Sequence, residues 1–522
     1  MLGGILTVGG WTMASRLMGF LRDVLIAAII GAGPVADAFF VANRLPNLFR
    51  RLFGEGAFNA AFVPSFTALL HTEGEEAAQR FAAQTTAVLA FWLVGLTVLA
   101  EIFMPQVVAV IAPGFARNPE KFALAVQLSR IAFPYMPLIC LVALMSGVLN
   151  GLDRYAAAAA APLVYNITSI GFMLGLLHRA PTAAHALAWG VSVSGVFQLA
   201  LLVWAVRRAG MRLHIPRPRL TPQMRALLRR MAPGLLGAGV TQLNLSVDVI
   251  IGSLLPTGTV SVLYYADRVN QLPLGILGAA VGTALLPTLS RAVAAGQGAQ
   301  AVSLLNRALE YGLVLTLPAA LGLLVAAQPI LSVLFQRGAF SAHAVHLSAQ
   351  ALQCYAVGLP AFVLVKVFVP GFFARGDTAM PVRIGMASIA FNLALNLAFM
   401  RPLAHMGPPL ASALAAWANV GGLAWMLHRQ GHFRADAPLV RRVLGMLAAS
   451  AAMAATLVAV LHFGGEMLHP AGLRWLGLAV LIGMGMLAYG LAGQALGAFD
   501  VRAILARLLR RRRVLPPASP GV

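Results

Sequence analysis

Charge is what this chain has least of: only 10% of its 522 residues are Asp, Glu, Lys or Arg, and Asp and Glu together number 16. A soluble domain of this length needs far more charge to cover its surface, so a soluble globular fold is excluded. Cysteine occurs only at Cys140 and Cys354, both inside apolar stretches, which leaves no disulfide framework and no cysteine metal site. Lysine is confined to Lys121 and Lys366, so no phosphate-binding Gly-Lys loop exists, and no nucleophile elbow is found either. Nucleotide hydrolysis and enzyme chemistry in general therefore lack their residues, and the chain reads as a non-enzyme without a cofactor. A basic leader before the first apolar stretch is also missing, and Arg16 and Arg22 lie inside that stretch, so residues 3–30 are expected to span rather than to be cleaved.

What is present in abundance is apolar surface. Hydrophobic residues make up 60% of the chain and the mean hydropathy is +0.82. The apolar runs are about 20 residues or longer, the length of a membrane-spanning helix, whereas barrel strands would alternate over about 10. The expectation is an all-α integral membrane protein with fourteen spanning segments, at 3–30, 36–69, 83–111, 122–150, 155–178, 184–206, 227–255, 259–290, 306–335, 343–373, 380–401, 408–428, 440–463 and 472–496. The remaining charge is lopsided, +22 net, and its placement decides its meaning. Arg80, Arg154, the run from Arg207 to Arg230, Arg291, Arg307, Arg375, Arg383, Arg429, Arg434, Arg441 and Arg442 fall in one set of loops, while the alternate set holds Arg117, Lys121, Arg179, Arg337, Arg401 and Arg474. This is the positive-inside pattern, which places both termini in the cytoplasm and argues against nucleic acid as a partner. The basic tail, 497–522, suits contact with membrane lipids.

The chain repeats itself. Ala42-Asn43-Arg44 corresponds to Ala266-Asp267-Arg268 at an offset of 224, as Gly147 and Asp153 do to Gly371 and Asp377, and Val63-Pro64 corresponds to Leu286-Pro287 at 223. Six segments per copy keep one orientation, so the copies form a parallel repeat. Two pseudo-symmetric six-helix lobes are expected, 1–206 and 227–428, joined by a Pro- and Arg-rich cytoplasmic linker at 207–226 and followed by two further helices in 429–496.

Ionisable groups at bilayer depth cost roughly 2.5–3.5 kcal/mol each on insertion scales, which marks them as functional candidates. They concentrate in Asp37–Pro64, which carries Asp37, Arg44, Arg50, Arg51 and Glu55 and is interrupted at Pro46, Gly54 and Gly56. Arg16, Arg22, Asp23, Arg130, Asp248, Asp267, Arg268 and Lys366 complete the set. Basic groups outnumber acidic ones, which fits an anionic substrate, and the planar fork of Arg suits a phosphate. Arg16 and Arg268 lie deepest in their segments and are the leading substrate contacts. Asp37 with Arg44, and Asp267 with Arg268, read equally as lobe-stabilising ion pairs. Asp248, and Asn392 with Asn396 at i and i+4, offer hard oxygens for a sodium ion or hydrogen bonds between packed helices, and both readings stand. Gly54-Glu55-Gly56 and the region of Pro273 are expected bending points.

The strings SRLMGFLRD (15–23), GAGPVADAFFVANRLPNLFRRLFGEGAFNAAFVP (31–64), APGF (112–115), YYADR (264–268) and LLPTLS (285–290) resemble the MurJ (MviN) family of lipid II flippases, within the multidrug/oligosaccharidyl-lipid/polysaccharide exporter superfamily. The resemblance implies a fourteen-helix inner-membrane protein that moves undecaprenyl-diphosphate-linked peptidoglycan precursor to the periplasmic leaflet. It implies diphosphate binding by Arg16, Arg22, Arg50 and Arg268, supporting roles for Asp23 and Asp37, and a groove for the lipid tail in the last two helices; Glu55 at the Gly-Glu-Gly break and Asp267 beside Arg268 are added as gate and supporting acids from their own positions. It also implies a sodium site at Asp248, Asn392 and Asn396, with Na+ or H+ as coupling ion, and cell-wall synthesis proteins as further partners. A flippase for another polyprenyl-diphosphate-linked glycan is the nearest alternative. A cation-coupled multidrug antiporter would need an acidic cavity, and this one reads basic; a non-transporting scaffold would leave the buried charges unexplained.

Overall fold

The computed structural model describes residues 2–54, 57–211, 216–464 and 473–499. Among them there are helices and turns and no strand, as a chain of this hydropathy requires: in hydrocarbon each backbone N–H and C=O must be satisfied within its own segment. Among the described residues, ten helices are long and apolar enough to cross a membrane, counting Pro119–Gly151 as one.

Two expected spans are broken rather than continuous. The third is divided into α4 (Glu75–Ile102) and α5 (Met104–Ile111), and the fourth into α6 (Pro119–Ala132) and α7 (Tyr135–Gly151), while α2 (Pro34–Gly54) and α3 (Ala57–Thr72) fall within the second. Proline accounts for both breaks: Pro105 opens α5, and Pro134 withholds an N–H between α6 and α7. Glu55 and Gly56 lie outside the described residues, and with them the bending point expected at Gly54-Glu55-Gly56. The bend expected at Pro273 is not a break, because Thr259–Ala294 runs as one helix through Pro273 and Pro287; prolines are tolerated in such helices where neighbours re-satisfy the freed carbonyls.

The chain divides into two compact units, residues 1–264 with 335–344, and 265–334 with 345–522. In the first, α1 (Leu2–Ile30) packs on α8 (Tyr155–Leu176), α8 and α7 pack on α9 (Ala183–Arg208), α2 packs on α6 and α7, and α10 (Pro222–Leu254) packs on α3 and on the 3-10 turn Pro113–Arg117. Small residues permit these approaches: a side chain at Gly195 of α9 would meet Tyr135 and Leu138 of α7 at 2.8–3.0 Å. Asn166 of α8 donates to the Ser15 carbonyl of α1 at 3.0 Å, fixing the rotation of α1.

The second unit holds most of α11 (Thr259–Ala294), then α12 (Gly298–Phe335), α13 (Ala342–Phe373), α14 (Ala379–Phe399), α15 (Gly407–Arg429), α16 (Ala437–Gly464) and α17 (Arg474–Ala495). Leu305 and Leu309 of α12, Val367 and Phe368 of α13 and Leu423 and Leu427 of α15 form one core, and α16 and α17 pack on α12 through Met453, Leu457 and Leu481. Charge reinforces the α12–α16 contact. Arg442 donates to both oxygens of buried Glu310 at 2.6 and 2.8 Å, Arg307 also binds Glu310, and Arg307 grips Asp436 at 2.7–2.8 Å.

Candidate functional site

Arg22 and Asp23 lie at the heart of the first unit. Neighbours on a helix do not face each other, so Arg22 folds back along α1, where Nη2 and Nε donate to Asp23 Oδ1 at 2.9 and 3.3 Å. The Asp23 side chain is fully buried and that of Arg22 nearly so. The guanidinium carbon stands 5.1 Å from the centroid of the Tyr165 ring on α8, and the Tyr264 hydroxyl of α11 donates to Asp23 Oδ1 at 3.4 Å. Tyr264 is held by stacking on Phe40 of α2, with centroids 3.8 Å apart. On α2 a polar stripe at helical spacing carries Asn43, Asn47 and Arg50: Asn47 donates to the Asn43 carbonyl at 2.8 Å and Arg50 Nε donates to Asn47 Oδ1 at 3.2 Å. Asn43 Oδ1 is buried with no hydrogen-bond partner. Tyr135 of α7 stands 5.4 Å from the Tyr165 ring, with its hydroxyl donating to Gln198 at 3.2 Å. Two guanidiniums, three phenols and one carboxylate are thus gathered from five helices, and cations are in excess.

A second cluster closes one end of the same unit. Asp37, in the first turn of α2, is buried and accepts four hydrogen bonds: Lys121 Nζ at 2.7 Å and Gly258 N at 2.7 Å on Oδ2, and Ser261 N and Oγ, each at 2.8 Å, on Oδ1. Its partner is therefore Lys121, not Arg44. Asn118 caps α6 by accepting from the Lys121 N–H at 3.1 Å, and Pro119 starts the helix, which sets Lys121 on its first turn. The ammonium lies 4.0 Å from the centroid of the Phe115 ring. Gly258, at φ +97°, makes the turn that aims its N–H at the carboxylate. Gly114 N donates to Ser253 Oγ at 3.2 Å, and a Cβ there would stand 1.9 Å from the Ser253 carbonyl oxygen. Gly31 and Gly338 are similarly bare because Ala339 N donates to the Ala28 carbonyl at 2.8 Å. The GAGPVADAFF and APGF strings thus meet at Asp37.

The other candidates are distributed. Arg16 is exposed on α1, and Asp248 is half-buried on α10. Arg268 and Asp267 are half-buried in the second unit, where Gln271 donates to Asp267 at 3.2 Å. Glu55 lies outside the described residues. Asn392 and Asn396 are buried together on α14; Asn396 Nδ2 donates to Asn392 Oδ1 at 2.8 Å, and Asn396 Oδ1 is a buried acceptor with no donor, a fitting ligand for a small hard cation. Sequence reading passed over Tyr135, Tyr165, Gln198 and Tyr264 and took Lys121 for a loop charge. The available signal was a lysine in a chain whose basic residues are otherwise almost all arginine.

The fold has solved relatives. It overlays on "Lipid II flippase MurJ, inward closed conformation" with a TM-score of 0.78 at 23% identity, covering 97% of this chain and all of that one. It also overlays on an inward-facing multidrug resistance MATE family transporter of the MOP superfamily with a TM-score of 0.66 at 14% identity, covering 82% and 98%. At these identities the likeness speaks for the fold. The described residues thus form an all-helical membrane protein of this fold with a buried cluster of guanidinium and phenol groups. The sequence model of the family described as "Lipid II flippase MurJ" matches residues 26–470. Among named relatives, "Probable lipid II flippase MurJ" of Rhizobium meliloti (strain 1021) is 45% identical over 94% of both chains, that of Rhizobium tropici is 42% identical over 98% and 97%, and "Lipid II flippase MurJ" of Burkholderia cenocepacia is 34% identical over 86% and 88%. The chain belongs to the MurJ family of lipid II flippases.

Proposed function

We propose that this chain translocates lipid II, the undecaprenyl-diphosphate-linked precursor of peptidoglycan, from the cytoplasmic to the periplasmic leaflet of the bacterial inner membrane by alternating access. The observation that carries this reading is the match to named lipid II flippases over nearly the whole length of both chains. Counting α2 with α3, α4 with α5 and α6 with α7 as single spans reduces the seventeen helices among the described residues to fourteen, in line with two six-helix lobes, 1–206 and 227–428, and two appended helices in 429–496 that hold the lipid tail. Both termini are cytoplasmic in this scheme, so the Asp37 end of α2 is periplasmic.

Arg16, Arg22, Arg50 and Arg268 bind the diphosphate, each fork able to take two oxygens. Asp23 holds Arg22 in place, and Tyr135, Tyr165 and Asn43 offer hydrogen bonds to the remaining polar groups of the substrate. Asp37 acts at the periplasmic gate, with Glu55 and Asp267 in supporting positions. For a net anionic substrate an inside-negative potential favours outward movement, by about 2.3 kcal/mol per charge per 100 mV. Na+ or H+ is the candidate coupling ion, with Asp248, Asn392 and Asn396 as candidate ligands; the orphan oxygen of Asn396 supports the cation reading. Cell-wall synthesis proteins are the partners that such a function brings into reach.

The test is transfer of lipid II across vesicles containing the purified protein, with other polyprenyl-diphosphate glycans as competitors. Transfer of lipid II that is blocked only by its own headgroup supports the reading. Transfer of a different glycan in its place would move the assignment to that substrate.

A further inference from the structure

Asp37 is 1% exposed and Lys121 6% exposed, and no other charged side chain bonds to either. On the elements packed around them, Arg117, Glu120, Arg130 and Arg337 are exposed, His71 lies at the far end of α3, and Arg44 and Asp248 make no bond to the carboxylate. A buried carboxylate needs nearly a full compensating charge or it takes up a proton. The N–H groups of Gly258 and Ser261 are the start of α11, and a helix N-terminus supplies about half an elementary charge. The rest has to come from Lys121. We propose that Lys121 is the counter-charge that lets Asp37 hold the α10–α11 turn shut as an ionised group, making closure at this end of the unit independent of pH; the transport role of that closure rests on the flippase reading above.

Use of lysine fits the role. In a chain that otherwise relies on arginine, the compact ammonium fits the slot between the Phe115 ring and Asp37, where a planar guanidinium is larger. Lys121 therefore acts as a positioning residue for Asp37 rather than as a substrate contact. Without it, the carboxylate can be buried only by binding a proton, and closure becomes coupled to acid.

Hydrogen exchange of the Gly258 and Ser261 amides, read by mass spectrometry on peptides covering 256–263 and corrected for intrinsic rates, reports this contact directly and does not depend on lipid II transfer. In the wild type, protection is expected to be the same at pH 5 and pH 8. In K121M and K121Q it should fall at least tenfold at pH 8 and return toward the wild-type level at pH 5, while peptides of α16 and α17 keep their protection and show that the protein is folded. In the K121M/D37N double variant the pH dependence should vanish. Wild-type protection in K121M at pH 8, an equal loss at both pH values, or a pH dependence that survives D37N would each overturn the proposal. Failure of lipid II transfer by the wild type would overturn the flippase reading and leave the exchange result standing.

Discussion

Arg22 and Asp23 follow one another along α1, yet the Arg22 guanidinium turns back to place two N–H groups on Asp23 Oδ1, at 2.9 and 3.3 Å, with one face toward the ring of Tyr165. The carboxylate thereby takes one edge of the fork and fixes its plane, leaving the remaining donors for a ligand. R22K keeps the charge but loses the fork. Charge-assisted hydrogen bonds are worth about 1.5–3 kcal/mol, so lipid II transfer by R22K should fall roughly ten- to a hundredfold in vesicles. D23N strands a buried cation, a change that costs about 3–5 kcal/mol, and should lower the unfolding midpoint in detergent as well as transfer. Wild-type transfer by R22K would rule out the bidentate role.

Arg16 and Arg268 separate binding from stability. Arg16 is exposed, so R16A should leave stability within about 0.5 kcal/mol of wild type while abolishing transfer. Arg268 is half-buried and already engaged in interactions of its own, so R268A should lower both. Transfer at the wild-type rate by R16A, with normal insertion, would remove Arg16 from the site.

Gly114 and Gly33 form a matched pair of alanine substitutions. A Cβ at position 114 would overlap the Ser253 carbonyl at 1.9 Å, whereas one at position 33 meets nothing within 4 Å. Backbone contacts cannot rotate away, so G114A should cost about 1–3 kcal/mol by overpacking and G33A much less. Thermal unfolding of both variants in detergent checks the difference; equal midpoints would mean that the turn at 113–117 does not press on α10.

His432 supplies a pH handle outside the spanning segments. Burial, with a smaller contribution from the Arg375 charge, lowers its pKa, and its Nδ1 is buried without a partner. A histidine depressed in the folded state favours the neutral form, so its contribution to stability is complete above the ordinary imidazole range and is lost as pH falls through the folded pKa. The unfolding midpoint should therefore drop more steeply below neutral pH in the wild type than in H432Q. Identical pH profiles would show that His432 titrates normally.

Parts of the site were legible residue by residue. Arg22, Asp23 and Arg50 are candidates by identity and position alone, whereas the stripe that Asn43 and Asn47 form with Arg50 is seen only in the fold. The breaks at Pro105 and Pro134 fall inside spans expected to be continuous, 83–111 and 122–150, while the helix runs on through Pro273, an expected bending point; neighbouring groups, invisible in a linear reading, decide whether a missing N–H ends a helix. Charge pairing by proximity in sequence misled at Asp37, since Arg44 is seven residues away on the same helix and Lys121 is 84 residues away in contact.

The chain's composition, its apolar run lengths and its scarcity of charge determined by themselves that it is a helical membrane protein, because a backbone in hydrocarbon has almost no other way to satisfy its hydrogen bonds. Its motif strings were enough to point to the family. The tertiary structure alone decided that Tyr135 stands beside Tyr165 and bonds Gln198, that Tyr264 reaches Asp23, and that Asp37 is neutralised by one of only two lysines. Those pairings depend on how each helix is rotated and where its glycines let another backbone approach, which is a property of packed surfaces and not of local sequence.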